Sequence, residues 1–328
     1  MKFMKQNILL FYLLISAIFL GSCQKDLDEF IPDPTSGPDS TWYNIINNTM
    51  PVNDLKARLL LDTRKDSLVL TNSSTTYLTG SDLQLAIPAG ALSSLNNIPV
   101  TGNITLESHL IKKKGDYIRM GIPTISNGRM LVSGGAFFIR LLKDGNELKV
   151  TQQNNIIARF PDPAPSSLMK KFDGDESNPV SFNWLQNQDT AFNNVSVLNQ
   201  SYQVSTNTLR WINCDYFYDT SGIQQTSVYT ILPYNYTNAN SIAFTVFNDI
   251  RSVVGMYGNA TTRKFSTGRL PVNKLITVVV ISKQGNDYFL GHELALTNGV
   301  PGTVGFMPVT ITPVITTLDN IKAYLDTL

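Results

Sequence analysis

The stretch "AFFIRLLKDGNELKV" (residues 136–150) reads as two strands and the turn that joins them. Ala136 to Leu142 is an apolar run, Glu147 to Val150 a shorter second run, and Lys143-Asp144-Gly145-Asn146 lies between them. An Asp-Gly step at that place suits a tight hairpin, whose central residues adopt positive φ. The same grammar recurs along the chain: "SLVLT" (67–71), "DLQLAI" (82–87), "GNITLE" (102–107), "SVYTIL" (227–232), "SIAFTVF" (241–247), "LITVVVIS" (275–282), "DYFL" (287–290) and "VTIT" (309–312). Short runs rich in Val, Ile, Thr, Tyr and Phe, broken by Gly, Asn, Asp and Pro, predict strands joined by turns. The fold class expected is therefore mainly β, built as two antiparallel β-sandwich domains. One segment departs from this pattern. From Thr316 to Leu328, Ile321, Tyr324, Leu325 and Leu328 recur at helical spacing, which predicts a short C-terminal helix with Asp319 placed to cap it.

With 328 residues, the chain exceeds what one ordinary core serves, so two domains are expected. The strongest break is "FPDPAPSSLMKK" (160–171), where Pro161, Pro163 and Pro165 cannot sit inside a sheet. The domains expected are 51–162 and 163–328. The chain holds 26 basic and 25 acidic residues, and two of the lysines fall in the leader described below. The mature chain is thus near neutral, and Lys112-Lys113-Lys114 reads as a solvated strand end. No basic stripe marks a nucleic-acid partner. Of two cysteines, Cys23 and Cys214, the second sits in "LRWINCDYF" and reads as a small buried apolar side chain. No disulfide framework is available.

The first residues read as targeting rather than fold. Lys2 and Lys5 precede an apolar run from Ile8 to Phe19 that is shorter than the roughly 20 residues a membrane-spanning helix needs. Then comes "FLGSCQKDLDEF" (19–30). Leu20-Gly21-Ser22-Cys23 resembles the lipobox of bacterial lipoproteins. That resemblance implies cleavage after residue 22, a diacylglycerol on the Cys23 sulfur and an acylated amine. Several acyl chains hold a protein to a membrane where one is marginal. Residues 23–50 open with Asp26, Asp28, Glu29, Asp33 and Asp39 among Pro, Ser and Gly, a composition expected of a flexible tether. Acids just after the lipidated cysteine resemble the surface-export signal of Bacteroidetes lipoproteins. The location implied is the outer membrane, at the cell surface or on the periplasmic face.

"GSDLQLAIPAGAL" (80–92), continued by "PVTGNITLESHLI" (99–111) and "GRMLVSGGAFFIRLLKDGNEL" (128–148), resembles the "IPxGAL" segment of ZU5-type domains. The resemblance covers about a third of the chain. It implies a β-sandwich and a bias toward interaction. Gly134 and Gly135 would allow a bulge or a close approach. The His-Phe-Ser self-cleavage site of some ZU5 proteins has no counterpart here, because the sequence reads His109-Leu110-Ile111.

Local motifs do not expose a reaction. Ser167-Leu168-Met169-Lys170 matches Ser-x-x-Lys but lacks the partner tripeptides of penicillin-binding enzymes. Glu107 and His109 share a strand face, and His292-Glu293 has no following histidine; neither pair closes a zinc site. Asp173, Asp175 and Glu176 offer hard oxygens without a full calcium loop. No catalytic residue, metal or cofactor is therefore expected. Aromatics cluster in the second half, and a flat row on a sheet would stack on sugar rings; the candidates are Trp184, Trp211, Tyr216, Tyr234 and Tyr236. The two-sided apolar pattern of "LRWINCDYFY" argues instead for burial. Asp-Ser/Thr triplets at Ser40, Ser67, Thr190 and Thr327 resemble the O-glycosylation pattern of Bacteroidetes. The leading expectation is a non-catalytic lipid-anchored protein that binds or assembles at the cell envelope, with the membrane and an unknown protein or glycan as partners. The second is a glycan-binding accessory lipoprotein of a polysaccharide-uptake system. The third is a glycosidase or peptidase with dispersed carboxylates.

Overall fold

A computed structural model describes residues 39–178, 181–298 and 305–328. Cys23 and the leader lie outside the described residues. The body is mainly β, with a short C-terminal helix, as expected.

Three sheets carry the fold. The main path of the first runs Arg64–Leu70, Gly102–Ile111, Arg129–Lys143, Arg210–Phe217, Lys170–Asp175 and Asn183–Gln186, all antiparallel. The second runs Asn194–Val197, Ser201–Thr206, Ile156–Pro161, Gln84–Ile87 and Thr75–Leu78. These two close as a sandwich. Phe137, Ile139 and Leu141, at alternate positions of one strand, meet Leu85, Ala158, Phe160 and Tyr202 from the facing sheet. The hairpin expected at 143–146 forms, with Leu142 opposite Glu147 and Lys143 opposite Asn146. Its turn holds Asp144 at φ 51° and Gly145 at φ 81°, the positive angles that an Asp-Gly step tolerates. The bulge that the paired glycines allow is present. Cys214 pairs with Gly135 and Asp215 with Ser133, so Gly134 has no opposite number.

The third sheet runs Gly305–Thr310, Gln225–Ile231, Lys264–Pro271, Val253–Asn259, Ser241–Phe247, Leu275–Gln284, Asp287–Leu296 and Val314–Thr316. Residues from its first to its sixth strand share one core, including Met307, Val309, Val228, Phe265, Met256 and Val280, so the sheet wraps around that core. Its opposite face, with Phe244, Val279 and Ile281, packs in another core against Trp184, Trp211 and Phe172 of the first sheet. Three helices fill this layer among the described residues: α1 (Pro51–Leu59), α2 (Lys114–Met120) and α3 (Leu318–Leu325). They contribute Val52, Leu55, Tyr117, Ile118, Ile321 and Leu325. Ser241–Phe247 is buried at every position because both of its faces are covered.

Several expectations change. The boundary at 162/163 does not divide the sheets. Ser201–Thr206 pairs with Ile156–Pro161 across the proline segment, and Arg210–Phe217 pairs with Arg129–Lys143. Ser40–Leu328 forms one compact unit. The prolines mark an exit loop from a strand, not a domain end. Among the described residues one strand pair is parallel, Gln225–Ile231 with Gly305–Thr310. The last stretch of the expected tether is structured: Trp42 packs on Phe265 with ring centroids 5.0 Å apart. Two helices were not anticipated. The 112–114 lysine run, expected as a strand end, leads directly into α2. At the C-terminal helix the cap is Thr317 rather than Asp319; the Thr317 side-chain oxygen accepts from the Asn320 backbone N–H.

Candidate functional site

Most of the aromatic candidates serve the core. Trp184 is fully buried, and its indole Nε1–H donates to the Pro123 carbonyl at 3.0 Å. Trp211 lies parallel to the His109 ring at 5.9 Å and packs beside Phe138. Tyr216 is half-buried against the first sandwich core. Tyr236 is buried, with its hydroxyl donating to the Pro313 carbonyl. Tyr234 alone of the five is open to solvent, at 68% exposure. These five residues form no flat aromatic row. Trp184 and Trp211 face inward because both sides of their sheet are covered, the burial that the two-sided pattern implied.

Tyr234 and Tyr236 nevertheless meet at a recess of about 230 Å³ at the edge of the third core. Ser40, Trp42, Thr230 and Arg263 complete its chemistry. The chain between Ser40 and Tyr43 is a strap held by a two-point amide contact. Tyr43 N–H donates to Asn238 Oδ1 at 3.0 Å, and Asn238 Nδ2 donates to the Tyr43 carbonyl at 2.6 Å. Gly258 lets the strap lie close, since a Cβ there would stand 2.6 Å from Asn238 Cβ and 3.1 Å from the Trp42 ring. Thr230 is 1% exposed and its hydroxyl has no hydrogen-bond partner. It shares a strand face with Val228, which lies in the third core. Arg263 sits on a turn at φ 53°, its backbone N–H bonded to the Asn259 carbonyl. Its guanidinium makes no ion pair among the described residues. No carboxylate lines the recess.

Elsewhere the polar groups are engaged with one another. Glu107 is buried between Lys65, with Nζ 2.9 Å from Oε1, and Arg140, whose Nε donates to Oε2 at 2.7 Å. Its pKa is lowered, first by the Lys65 hydrogen bond and then by Arg140. His109 faces Thr63, with Nε2 and Oγ1 3.2 Å apart, and burial lowers its pKa. The two share a strand but not a ligand. Asp173 accepts from Lys171, Thr208 and Asn187, and Glu176 from Arg210. Among the described residues, no group of three or more potential ligands is placed to hold a metal ion. Ser167 lies in a turn and Lys170 opens a strand, so the Ser-x-x-Lys match lacks its helix. A second hollow of about 310 Å³ is mostly apolar, with Leu59, Met120, Phe182 and Phe244. Its Arg119 is already used, donating to the Leu59 carbonyl at 3.0 Å.

One further cluster has no signature in the chain's local motifs. Tyr117, Ser133, Asn213 and Asp215 form a buried chain of hydrogen bonds at the bulge. Asp215 is fully buried, one of its oxygens has no partner, and burial raises its pKa well above the usual carboxylate value. Arg251 stands alongside, donating to the Gly134 carbonyl at 2.6 Å and to Asp162 at 3.0 Å. The cluster joins the first and third sheets and has no opening to solvent. Cys214 is buried beside it, as expected. Of the hydroxyls in the triplets, Ser40 is half-buried at the recess, Ser67 lies exposed on an edge strand and Thr190 exposed in a turn. The exposed Thr327 donates to the Tyr324 carbonyl.

Among known proteins, no family model matches this chain and no curated protein matches it.

Proposed function

We propose that the chain is a non-catalytic, lipid-anchored protein of the bacterial cell envelope, and that it binds its partner through the recess at Trp42, Tyr234 and Arg263. The recess carries this reading. It brings together aromatic surface and an unpaired guanidinium, both recognition groups, with no carboxylate to serve as acid or base. The lipobox-like Leu20-Gly21-Ser22-Cys23 supplies the anchor. No helix among the described residues is long and apolar enough to cross a membrane. The 16 residues from Gln24 to Asp39 span at most about 55 Å when fully extended, so the recess, which begins at Ser40, works close to the lipid surface.

Two measurements test the reading. Palmitate labelling of cells carrying the wild-type chain, but not Cys23→Ala, supports the anchor; undiminished labelling of the variant refutes it. Screening full-length protein in detergent micelles against envelope glycans and proteins yields a partner whose binding Tyr234→Ala weakens. A partner bound equally by Tyr234→Ala and by Arg263→Gln refutes the recess.

A glycan is the ligand class best matched to the recess. Tyr234 stands exposed at its rim, and aromatic rings stack on the C–H surface of sugars.

A further inference from the structure

We infer that the recess takes a single acidic sugar unit, one carrying a carboxylate, with that carboxylate on Arg263. The inference rests on the recess being a binding site and narrows what it binds. Three features point the same way.

Size comes first. About 230 Å³ falls below the roughly 300 Å³ at which pockets for drug-sized molecules begin, so the recess admits one ring rather than a length of chain.

Charge comes second. Guanidinium groups in this body are commonly paired: Arg58 with Asp54, Arg64 with Asp66, Arg140 with Glu107, Arg210 with Glu176 and Arg251 with Asp162. Arg263 has no such partner, and no acid lines the recess. Lys264, the next residue, is occupied over the Tyr229 ring at 4.0 Å. A guanidinium left unpaired beside a hollow offers a planar fork that fits a carboxylate through two parallel hydrogen bonds.

Surface chemistry comes third. Trp42 and Tyr234 contribute apolar ring surface for the sugar's C–H face, and the Ser40 hydroxyl on the strap side can donate to or accept from a sugar hydroxyl. A simple inorganic anion would use Arg263 and leave the rings idle. A neutral sugar would use the rings and leave Arg263 idle. An acidic sugar uses all of them.

The test compares glucuronate and galacturonate with their neutral parents, glucose and galactose. Full-length protein in detergent micelles is titrated with each and followed by ligand-observed NMR. The expected result is saturable binding of at least one acidic sugar, at least about tenfold tighter than its neutral parent, with about tenfold loss in Arg263→Gln. Tyr234→Ala weakens it as well. Melting curves of each variant verify that the fold is intact. Equal affinity for acidic and neutral forms, unaffected by Arg263→Gln, overturns the acidic-sugar inference and leaves the recess as a neutral-sugar site. If none of the four sugars binds while a screened partner is lost with Tyr234→Ala, the inference fails and the recess reading stands. If that partner is also retained by the variants, both fail.

Discussion

Replacing Trp184 by alanine separates a core tryptophan from a ligand platform. The side chain is fully buried, between the edge of the first sheet and the layer shared with the helices. Phe182 meets it edge-on at 4.7 Å, and its Nε1–H is satisfied by the Pro123 carbonyl. Truncating a buried aromatic to alanine costs about 3–5 kcal/mol in lost transfer energy and cavity. The orphaned carbonyl adds about 1 kcal/mol. The expected loss is therefore about 5 kcal/mol, a large share of the roughly 5–15 kcal/mol that a native body has to lose. For a unit spanning Ser40–Leu328, an unfolding entropy of about 2.1 cal/mol/K per residue converts this into a fall in Tm of roughly 8 °C. Calorimetry and urea unfolding measure it, with Tyr234→Ala as a control; that exposed position changes stability by no more than about 0.5 kcal/mol. Because Trp184 shares a core with Phe244 and Ile281 of the third sheet, one cooperative transition moves as a whole. A cost below about 1 kcal/mol refutes the assignment to the core. Two resolved transitions, only the lower one shifted, would refute the shared layer.

Asn238→Ala removes both hydrogen bonds to Tyr43 and costs about 2 kcal/mol of local stability. The strap then opens, and chymotrypsin cuts faster at Trp42 and Tyr43; an unchanged cleavage rate rejects the strap's two-point attachment. Asp215 gives a pH dependence whose sign is fixed by burial. Its folded pKa lies well above the unfolded value of about 3.9, so the unfolded chain releases this proton first. The stability Asp215 contributes is full below about pH 3.9 and is lost as pH rises toward the folded pKa. Asp215→Asn keeps the size, stays neutral and flattens that fall. Urea midpoints measured from pH 4 to 8 that run parallel in the two proteins contradict it.

The strand grammar was legible where one property decided the local structure. Asp144-Gly145 set a turn, and alternating or continuous β-branched runs set strands on either side. The C-terminal helix was legible from Ile321, Tyr324 and Leu325. Helix α1 carries comparable signals: a proline at its first position and Val52, Leu55 and Leu59 along one stripe. It is only nine residues long and opens a segment expected to be all β, so the stripe is too short to stand out from its surroundings. The domain boundary failed for a different reason. Prolines 161, 163 and 165 do end a strand, but whether the next strand returns to the same sheet depends on pairings remote in sequence, such as Tyr202 with Phe160. The recess was half legible. Tyr234 and Tyr236 were singled out as aromatics, whereas Trp42, Thr230 and Arg263 come from three separate segments and meet only in the folded chain.

Both ends of the body close on the third sheet, and this governs how the body can be made. Tyr43 bonds to Asn238 across 195 residues, and the parallel strand Gly305–Thr310 joins Gln225–Ile231 only once the chain between them has been made. Contacts so distant along the chain slow folding, because their loop entropy is lost before they contribute. A chain still being made thus holds Gln225–Ile231 as an open sheet edge until Gly305–Thr310 follows, and an unpaired edge of that kind invites pairing with other chains. A version shortened before Gly305 would keep that edge open.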